Sequence, residues 1–461
     1  MAYRLLPLAS LFLAAVSALP GLDLVRREDD FDLGVPVMNP AATNVMPHRY
    51  IVVYRANISA AAINAHQASV VAAVARRNLG RRSPQTGRPL STLVHTAALG
   101  AWRCLALEAD DRTMNAILES PEVGYVEYDA VQHAAVLDRP QDDVDLAMPA
   151  HLTSAAVPAR GRRATAATGA VAEMDAPSGL ARLSNGVLTD AVLATGTYTF
   201  DASAGRGITV YVLDTGIRVT HQEFQGRAVW GANFVDDVQA DEHGHGTHVA
   251  ATIGGATYGV AKNVNLVAVK VLDAEGGGST SGIIAGMQFV MQDVAAANLT
   301  GKAIMNMSIG GTKTSALNDA VAALAAAGIV PVVAAGNEDQ DAANTSPASA
   351  GAAITVGAIA QRNDTRAGFS NHGTAVDIFA PGLDVVSASS ADDTSARVLS
   401  GTSMATPHVA GLAAYLMALE GVAEPQAVVA RIRALARLTG ARVKGNVRWT
   451  TNLIAWNGQV S

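Results

Sequence analysis

The sequence predicts an α/β protein in which a parallel sheet carries helices on both faces, three layers deep, preceded by a small α+β domain. Three observations predict it. Beyond about residue 175, near-continuous apolar runs of strand length recur: "ITVYVL" (208–213), "LVAVKVL" (266–272), "AIMNMSI" (303–309), "IVPVVAA" (329–335) and "AAITVGAI" (352–359). Strands that are apolar on both sides are those covered on both faces. Between them lie helical stretches such as "STSGIIAGMQFVMQDVAAAN" and "SALNDAVAALAAAG", and such alternation implies parallel strands joined by right-handed crossovers. Residues 48–133 follow a different and shorter order of strands and helices.

From the amino terminus, "MAYRLLPLASLFLAAVSALP" has a basic start at Arg4, an apolar stretch from Leu5 to Val16 and small residues at Ser17 and Ala18. This is the pattern of a secretory signal peptide, residues 1–18. The apolar run is shorter than the roughly 20 residues a membrane span needs. Residues 48–133 then read β ("HRYIVVY"), α ("SAAAINAHQASVVAAVARR"), β (near "STLVHTAAL"), β ("CLALEA"), α ("DRTMNAILES"), β ("GYVEYDAVQHA"): a βαββαβ unit, an open sheet covered by two helices. Periodicity is lost over 134–170, which is rich in Pro, Asp, Ala and Thr and ends in Arg160, Gly161, Arg162 and Arg163, a linker suited to cleavage after paired basic residues. The α/β domain occupies 171–461.

Composition narrows the function. With 16% charged residues, a net charge of -7 and no long Lys/Arg cluster, the chain has no electrostatic footprint for nucleic acid or an anionic membrane. Its one cysteine, Cys104, permits no intramolecular disulfide. "AWRCLALEA" alternates like a strand, which makes Cys104 a core residue rather than a nucleophile.

Ligands of parallel α/β sheets bind at the carboxyl ends of the strands, and polar residues collect there. Asp214 follows "ITVYVL" directly; alone it reads equally as a turn cap. "DEHGHGTHVAATIGG" sets His243, His245 and His248 within six residues, a spacing that admits a metal but lacks HExxH; His245 beside a helix start reads better as a general base. Asn337 ends "PVVAAGN", as a turn residue or as an amide donor to an oxyanion. Ser403 opens an apolar helix, as a plain N-cap or as a nucleophile whose N–H and helix dipole face an oxyanion. Together, carboxylate, imidazole and hydroxyl in the order Asp, His, Ser supply orienting acid, base and nucleophile for a hydrolase. The order differs from that of the α/β-hydrolases, and "GTSMA" lacks their GxSxG elbow.

"VLDTGI", "HGHGTHVA" and "GTSMATPHVAGLAAYL" resemble the three signature blocks of subtilisin-like serine proteases, most closely the proteinase K group, and the likeness spans 175–461. The resemblance implies a subtilisin-like three-layer fold and a secreted serine endopeptidase. It assigns Asp214, His245 and Ser403 to the catalytic triad and Asn337, with the Ser403 N–H, to the oxyanion hole. His248 is implied to be structural, and Gly310, Gly336 and Gly276 to line the substrate cleft, open enough for apolar or aromatic side chains. Asp377, with the carbonyls of Gly351 and Ala353, matches a structural calcium site; no catalytic cofactor is expected. Residues 48–133 resemble the inhibitory propeptide, its last strand ending near His133 in the cleft, and the long segment to 170 leaves maturation near 134, after Arg163, or at both.

The implied partners are protein or peptide substrates and the chain's own propeptide, with no nucleic acid, no membrane and a monomeric state. Export to the cell exterior is the expected location, with vacuolar retention the alternative. Two competing readings are a pseudoprotease, opposed by the intact Asp, His, Ser and Asn set, and a narrow processing protease, opposed by a loop, "LDAEGGGST", that carries only Asp273 and Glu275 as acids. Two departures from the group's pattern are Ala251 in place of Gly and Thr280 in place of an aromatic on the substrate-binding loop. A histidine base must be neutral, and an unperturbed histidine titrates near 6.5, so activity is expected to rise through about pH 6 to 8. Pro407, inside the helix expected from Ser403, removes the N–H that would bond the carbonyl of residue 403 and reads as part of the nucleophile's setting.

Overall fold

The computed structural model describes residues 35–459 apart from 41, 43, 84–86, 138–162 and 165–168. The expected signal peptide and Arg160, Gly161 and Arg162 lie outside the described residues. The first domain runs β1 (Val45–Tyr54), α1 (Ala60–Asn78), β2 (Val94–Leu99), β3 (Trp102–Glu108), α2 (Asp111–Leu118), β4 (Val123–Ala134), the βαββαβ order read from the sequence. Its strands are antiparallel in the order β4-β1-β3-β2. Strand alternation divides them between two cores. Val52, Leu105 and Leu107 pack with Ile63 and Val74 of α1 and Met114 of α2, while Ile51, Val53 and Cys104 face the other way. Burial there pushes the Cys104 thiol up to about 12, so it stays protonated and inert.

The second domain opens with β5 (Arg163–Ala164), β6 (Ala170–Glu173), α3 (Ser178–Ser184), α4 (Asp190–Thr195) and β7 (Tyr198–Asp201). It continues with β8 (Thr209–Asp214), β9 (Ala228–Asn233), α5 (His245–Gly254), β10 (Asn265–Lys270), β11 (Gly277–Ser279), α6 (Thr280–Ala296), β12 (Ala303–Met307), β13 (Ile309–Thr312), α7 (Ser315–Ala326) and β14 (Ile329–Ala334). The remainder is β15 (Thr345–Ser346), β16 (Ile354–Ala360), β17 (Thr365–Arg366), β18 (Ile378–Pro381), β19 (Val385–Ala388), β20 (Ala396–Leu399), α8 (Thr402–Glu420) and α9 (Pro425–Leu438).

The central sheet has the order β17-β16-β14-β12-β8-β10-β9, with β18 also on β16, and every pairing except that of β17 is parallel. Val210 and Val212 of β8 turn toward α5 and α8, whereas Tyr211 and Leu213 turn toward α6 and α7. This is the three-layer arrangement the double-sided apolar strands predict. α8 is buried from Thr402 to Met417, as expected of a helix apolar all round.

The first domain docks on the α6/α7 layer through Ile51, Val53 and Leu99. Two of its carboxylates cap those helices. Glu127 accepts from the N–H groups of Ser315 (2.6 Å) and Ala316 (3.0 Å) at the start of α7, and Asp129 accepts from the Ser281 N–H (3.1 Å) in the first turn of α6. Anions at these positive helix ends satisfy donors that have no intrahelical acceptor. β4 itself lies antiparallel between β11 and β13, so the end of the first domain becomes a strand of the second.

Candidate active site

Asp214, His245 and Ser403, far apart in sequence, come from the end of β8 and the starts of α5 and α8, and all three are buried. His245 Nδ1 lies 2.7 Å from Asp214 Oδ1, which also accepts from the Thr215 N–H at 2.8 Å. A carboxylate on Nδ1 fixes the tautomer that leaves Nε2 free as a base. His245 Nε2 has no hydrogen-bond partner, and the Ser403 hydroxyl donates to the Ser308 carbonyl at 2.8 Å. Ser403 and His245 are therefore not hydrogen-bonded to each other in this geometry.

What fixes the histidine leaves no pattern in the sequence. Asp241 Oδ1 accepts from the Thr215 hydroxyl (2.7 Å) and the Gly244 N–H (2.7 Å), and its Oδ2 accepts from the Thr247 N–H (2.8 Å). Thr215 Oγ1 in turn accepts from the Gly246 N–H at 3.0 Å. The turn after β8 and the first turn of α5 are thus bolted through one buried carboxylate, which a pattern reading sees only as one acid among loop residues.

α8 begins at Thr402 with Gly401 as its cap, one residue earlier than the expected start, so Ser403 is its second residue. Pro407 has no N–H for the Ser403 carbonyl. The Ser308 hydroxyl donates to that carbonyl at 3.0 Å instead. The proline's missing bond is replaced by a side chain from the end of β12, which ties the first turn of α8 to the central sheet.

The chain beyond β4 crosses this site. The Ala135 N–H donates to the Ser308 carbonyl (3.0 Å), and the Ala135 carbonyl accepts from the Ser403 N–H (3.1 Å) and from Asn337 Nδ2 (2.6 Å). The Leu137 N–H donates to the Ser400 carbonyl at 3.0 Å. The Asn337 amide is oriented by its other end, since Oδ1 accepts from the Thr402 N–H and hydroxyl, both at 2.9 Å. Gly401 is required here: a Cβ would stand 2.5 Å from the Ala135 oxygen and 3.1 Å from Val136 Cα.

Of the three glycines expected to line the cleft, Gly310 and Gly276 adjoin the same segment, and Gly336 adjoins Gly310. Gly310 pairs with His133, and a Cβ on it would lie 3.8 Å from Ala135 Cβ and 4.0 Å from Gly336 Cα. The Gly276 carbonyl accepts from the Ala134 N–H at 2.9 Å, and a Cβ on Gly276 would meet His243 Nε2 and Ala134 Cβ. Burial first, then the neighbouring His245, hold His243 below the ordinary histidine value. His248 points elsewhere, with Nε2 3.0 Å from the Val385 carbonyl, so the histidine trio is not gathered around a common ligand. Arg163 lies in β5, a strand of the separate β5-β6-β7 sheet.

Asp377 precedes β18 and is bonded to Thr355 of β16: its Oδ2 accepts from the Thr355 N–H at 2.8 Å and its own N–H donates to the Thr355 carbonyl at 2.9 Å. Gly351 and Ala353 lie in the turn leading into β16. The donor types suit calcium, but Asp377 Oδ1 accepts from the guanidinium of Arg433 on α9. Both carboxylate oxygens are engaged, so the residues as arranged do not fit a calcium ion unless Arg433 withdraws. Among the described residues no group of three or more His, Cys, Asp or Glu side chains is gathered to hold a metal.

Comparison with known proteins shows the family. Residues 205–449 match the model of the subtilase family, peptidase S8. A "Subtilisin-like protease 2" of Pseudogymnoascus destructans is 39% identical over 458 residues, 98% of each chain. A "Cuticle-degrading serine protease" of Arthrobotrys oligospora is 42% identical over 434 residues, 92% of this chain and 93% of that one. A crystal structure of a cold adapted subtilisin-like serine proteinase superposes with a TM-score of 0.55 at 41% identity, covering 61% of this chain and 98% of its own. The protein belongs to the subtilase family and is a serine-type endopeptidase of subtilisin-like fold.

Proposed function

We propose that the chain is a secreted endopeptidase made as a zymogen, and that the first bond it cuts is its own Ala135–Val136. The observation that carries this reading is the Ala135 carbonyl between two donors, Ser403 N–H and Asn337 Nδ2. Ser403 Oγ turns from Ser308 toward His245, loses its proton to Nε2 and attacks the Ala135 carbonyl carbon. Asp214 holds the imidazole through Nδ1–H and stabilises the imidazolium. The two donors receive the charge that develops on the carbonyl oxygen, a role that costs no reorganisation because they are already aimed.

Collapse breaks the Ala135–Val136 bond, and His245 returns the proton to the Val136 amine. Water, deprotonated by His245, then hydrolyses the Ala135 ester, releasing the carboxylate and regenerating Ser403. The first domain stays as an inhibitor because β4 remains paired with β11 and β13. Other proteins and peptides take its place in an enzyme that acts as a monomer. The wall at Gly310, where a Cβ would stand 3.8 Å from Ala135 Cβ, carries no side chain and leaves room beside Ala135 for apolar or aromatic residues, hence broad specificity with that preference. A second cut after Arg163, in another sheet, trims the linker, and the signal-like residues 1–18 direct export to the cell exterior. Calcium at Asp377 competes with Arg433 rather than occupying a ready site.

Labelling tests the assignment. A serine-directed fluorophosphonate should modify Ser403 of the mature protein and nothing in Ser403→Ala; labelling that maps to another serine refutes it.

A further inference from the structure

Gln132 is fully buried where β4 passes between β11 and β13, paired with Gly278 on one side and Gly311 on the other. Counting from the carbonyl presented to Ser403, it is the fourth residue on the acyl side. Its Nε2 donates to Thr280 Oγ1 at 3.3 Å and to the Thr312 carbonyl at 3.4 Å, while its Oε1 is buried without a hydrogen-bond partner. Thr280, also fully buried, donates its own hydroxyl to the Ala130 carbonyl at 2.9 Å, so the one hydroxyl accepts from the glutamine side chain and donates to the strand's backbone. The space exists because residue 311 is glycine: a Cβ there would stand 2.2 Å from Gln132 Oε1.

We infer that Thr280, Gly311 and Thr312 form a polar pocket that selects substrates carrying glutamine three residues before the residue whose carbonyl is attacked. This rests on the reading that Ala135–Val136 occupies the reacting position. A leucine in the pocket would leave the Thr312 carbonyl without this donor and the Thr280 hydroxyl without this partner, away from water. Larger rejections arise where a site is built around a hydrogen-bonding group, but these bonds are long, so the discrimination is modest. An aromatic at position 280 would instead remove the hydroxyl and fill the space with carbon.

The test uses two internally quenched peptides of the sequence of residues 130–139, one with Gln and one with Leu at the position of residue 132. The mature enzyme and its Thr280→Val variant are each given both, and the ratio of kcat/KM values is compared within each enzyme, so that differences in folding or active fraction cancel. The native enzyme should prefer Gln by about tenfold, equivalent to ~1.4 kcal/mol, with the difference mainly in KM, and Thr280→Val should abolish or invert the preference. Equal or better cleavage of the Leu peptide by the native enzyme, or an unchanged ratio in Thr280→Val, overturns the polar pocket while leaving the scissile bond in place. Cleavage of the Gln peptide at a bond other than the one matching Ala135–Val136 overturns the register itself, and the pocket assignment with it.

Discussion

Asn337 Nδ2 donates to the carbonyl oxygen of Ala135 at 2.6 Å, across 202 residues of sequence. The amide cannot turn away without cost, because its Oδ1 is held by Thr402. Asn337→Leu should therefore lower kcat by about 10²–10³ with little change in KM, a magnitude known from subtilisin itself rather than derived from these distances. Steady-state kinetics on a peptide substrate reads it, and a loss confined to KM would contradict the role.

The bond that Pro407 deletes and Ser308 replaces makes a second prediction. Ser308→Ala leaves the buried Ser403 carbonyl without its donor and should cost about 1–3 kcal/mol of stability. Pro407→Ala returns a backbone N–H to the same carbonyl, so in that background the cost of Ser308→Ala should shrink. Denaturant titration of the four chains of this cycle, all carrying Ser403→Ala to prevent autolysis, measures the coupling. Strictly additive costs would show that the two residues do not serve one acceptor.

Arg433 governs the calcium question. In the native chain a chelator should leave Tm nearly unchanged, because the guanidinium already neutralises Asp377. Arg433→Ala opens Asp377 to a cation: Tm should fall in chelator by roughly 2–4 °C, about 1 kcal/mol for a pair whose arginine is over a third exposed, and recover with added calcium. A large chelator effect on the native chain, with none added by Arg433→Ala, would restore calcium as the resident cation.

Acid should weaken the fold through His408. Burial depresses it to about 4, opposed only by its bond to the Met404 carbonyl, whereas an unfolded histidine titrates near 6.5. The unfolded chain therefore takes the proton first, and the stability this residue contributes is full above about pH 6.5 and declines as pH falls toward 4. His248, held at about 3 by burial, acts in the same direction. Carboxylates raised by burial, Glu127, Asp129 and Asp377, act oppositely, so the readout is a difference. The Tm gap between the Ser403→Ala chain and the same chain carrying His408→Gln should narrow from pH 7 to pH 5; a constant gap contradicts the assignment.

Much of this was legible in the residues. Double-sided apolar strands gave the parallel sheet, and Asp214, His245, Asn337 and Ser403 stand out because each is a polar residue at a strand's carboxyl end or a helix's start. Asp241, Thr215 and Ser308 were not legible: their work is hydrogen bonding between segments distant in sequence, which leaves no period or spacing behind. Arg433 escaped for the same reason, since nothing in "ARIRALARL" says that its helix passes Asp377. Thr280 stands out in the sequence as a departure, but nothing there places Gln132 beside it.

The proposed first cut falls at Ala135–Val136, the bond whose carbonyl is seated between Ser403 and Asn337. Amino-terminal sequencing and intact mass of the folded chain, taken through a maturation time course beside the Ser403→Ala chain, test it most directly. The native chain should yield a new amino terminus at Val136 before any other internal one, and Ser403→Ala should remain joined across Ala135–Val136. A first cut after Arg163 with Ala135–Val136 intact, or cleavage at Val136 in purified Ser403→Ala, would contradict the account.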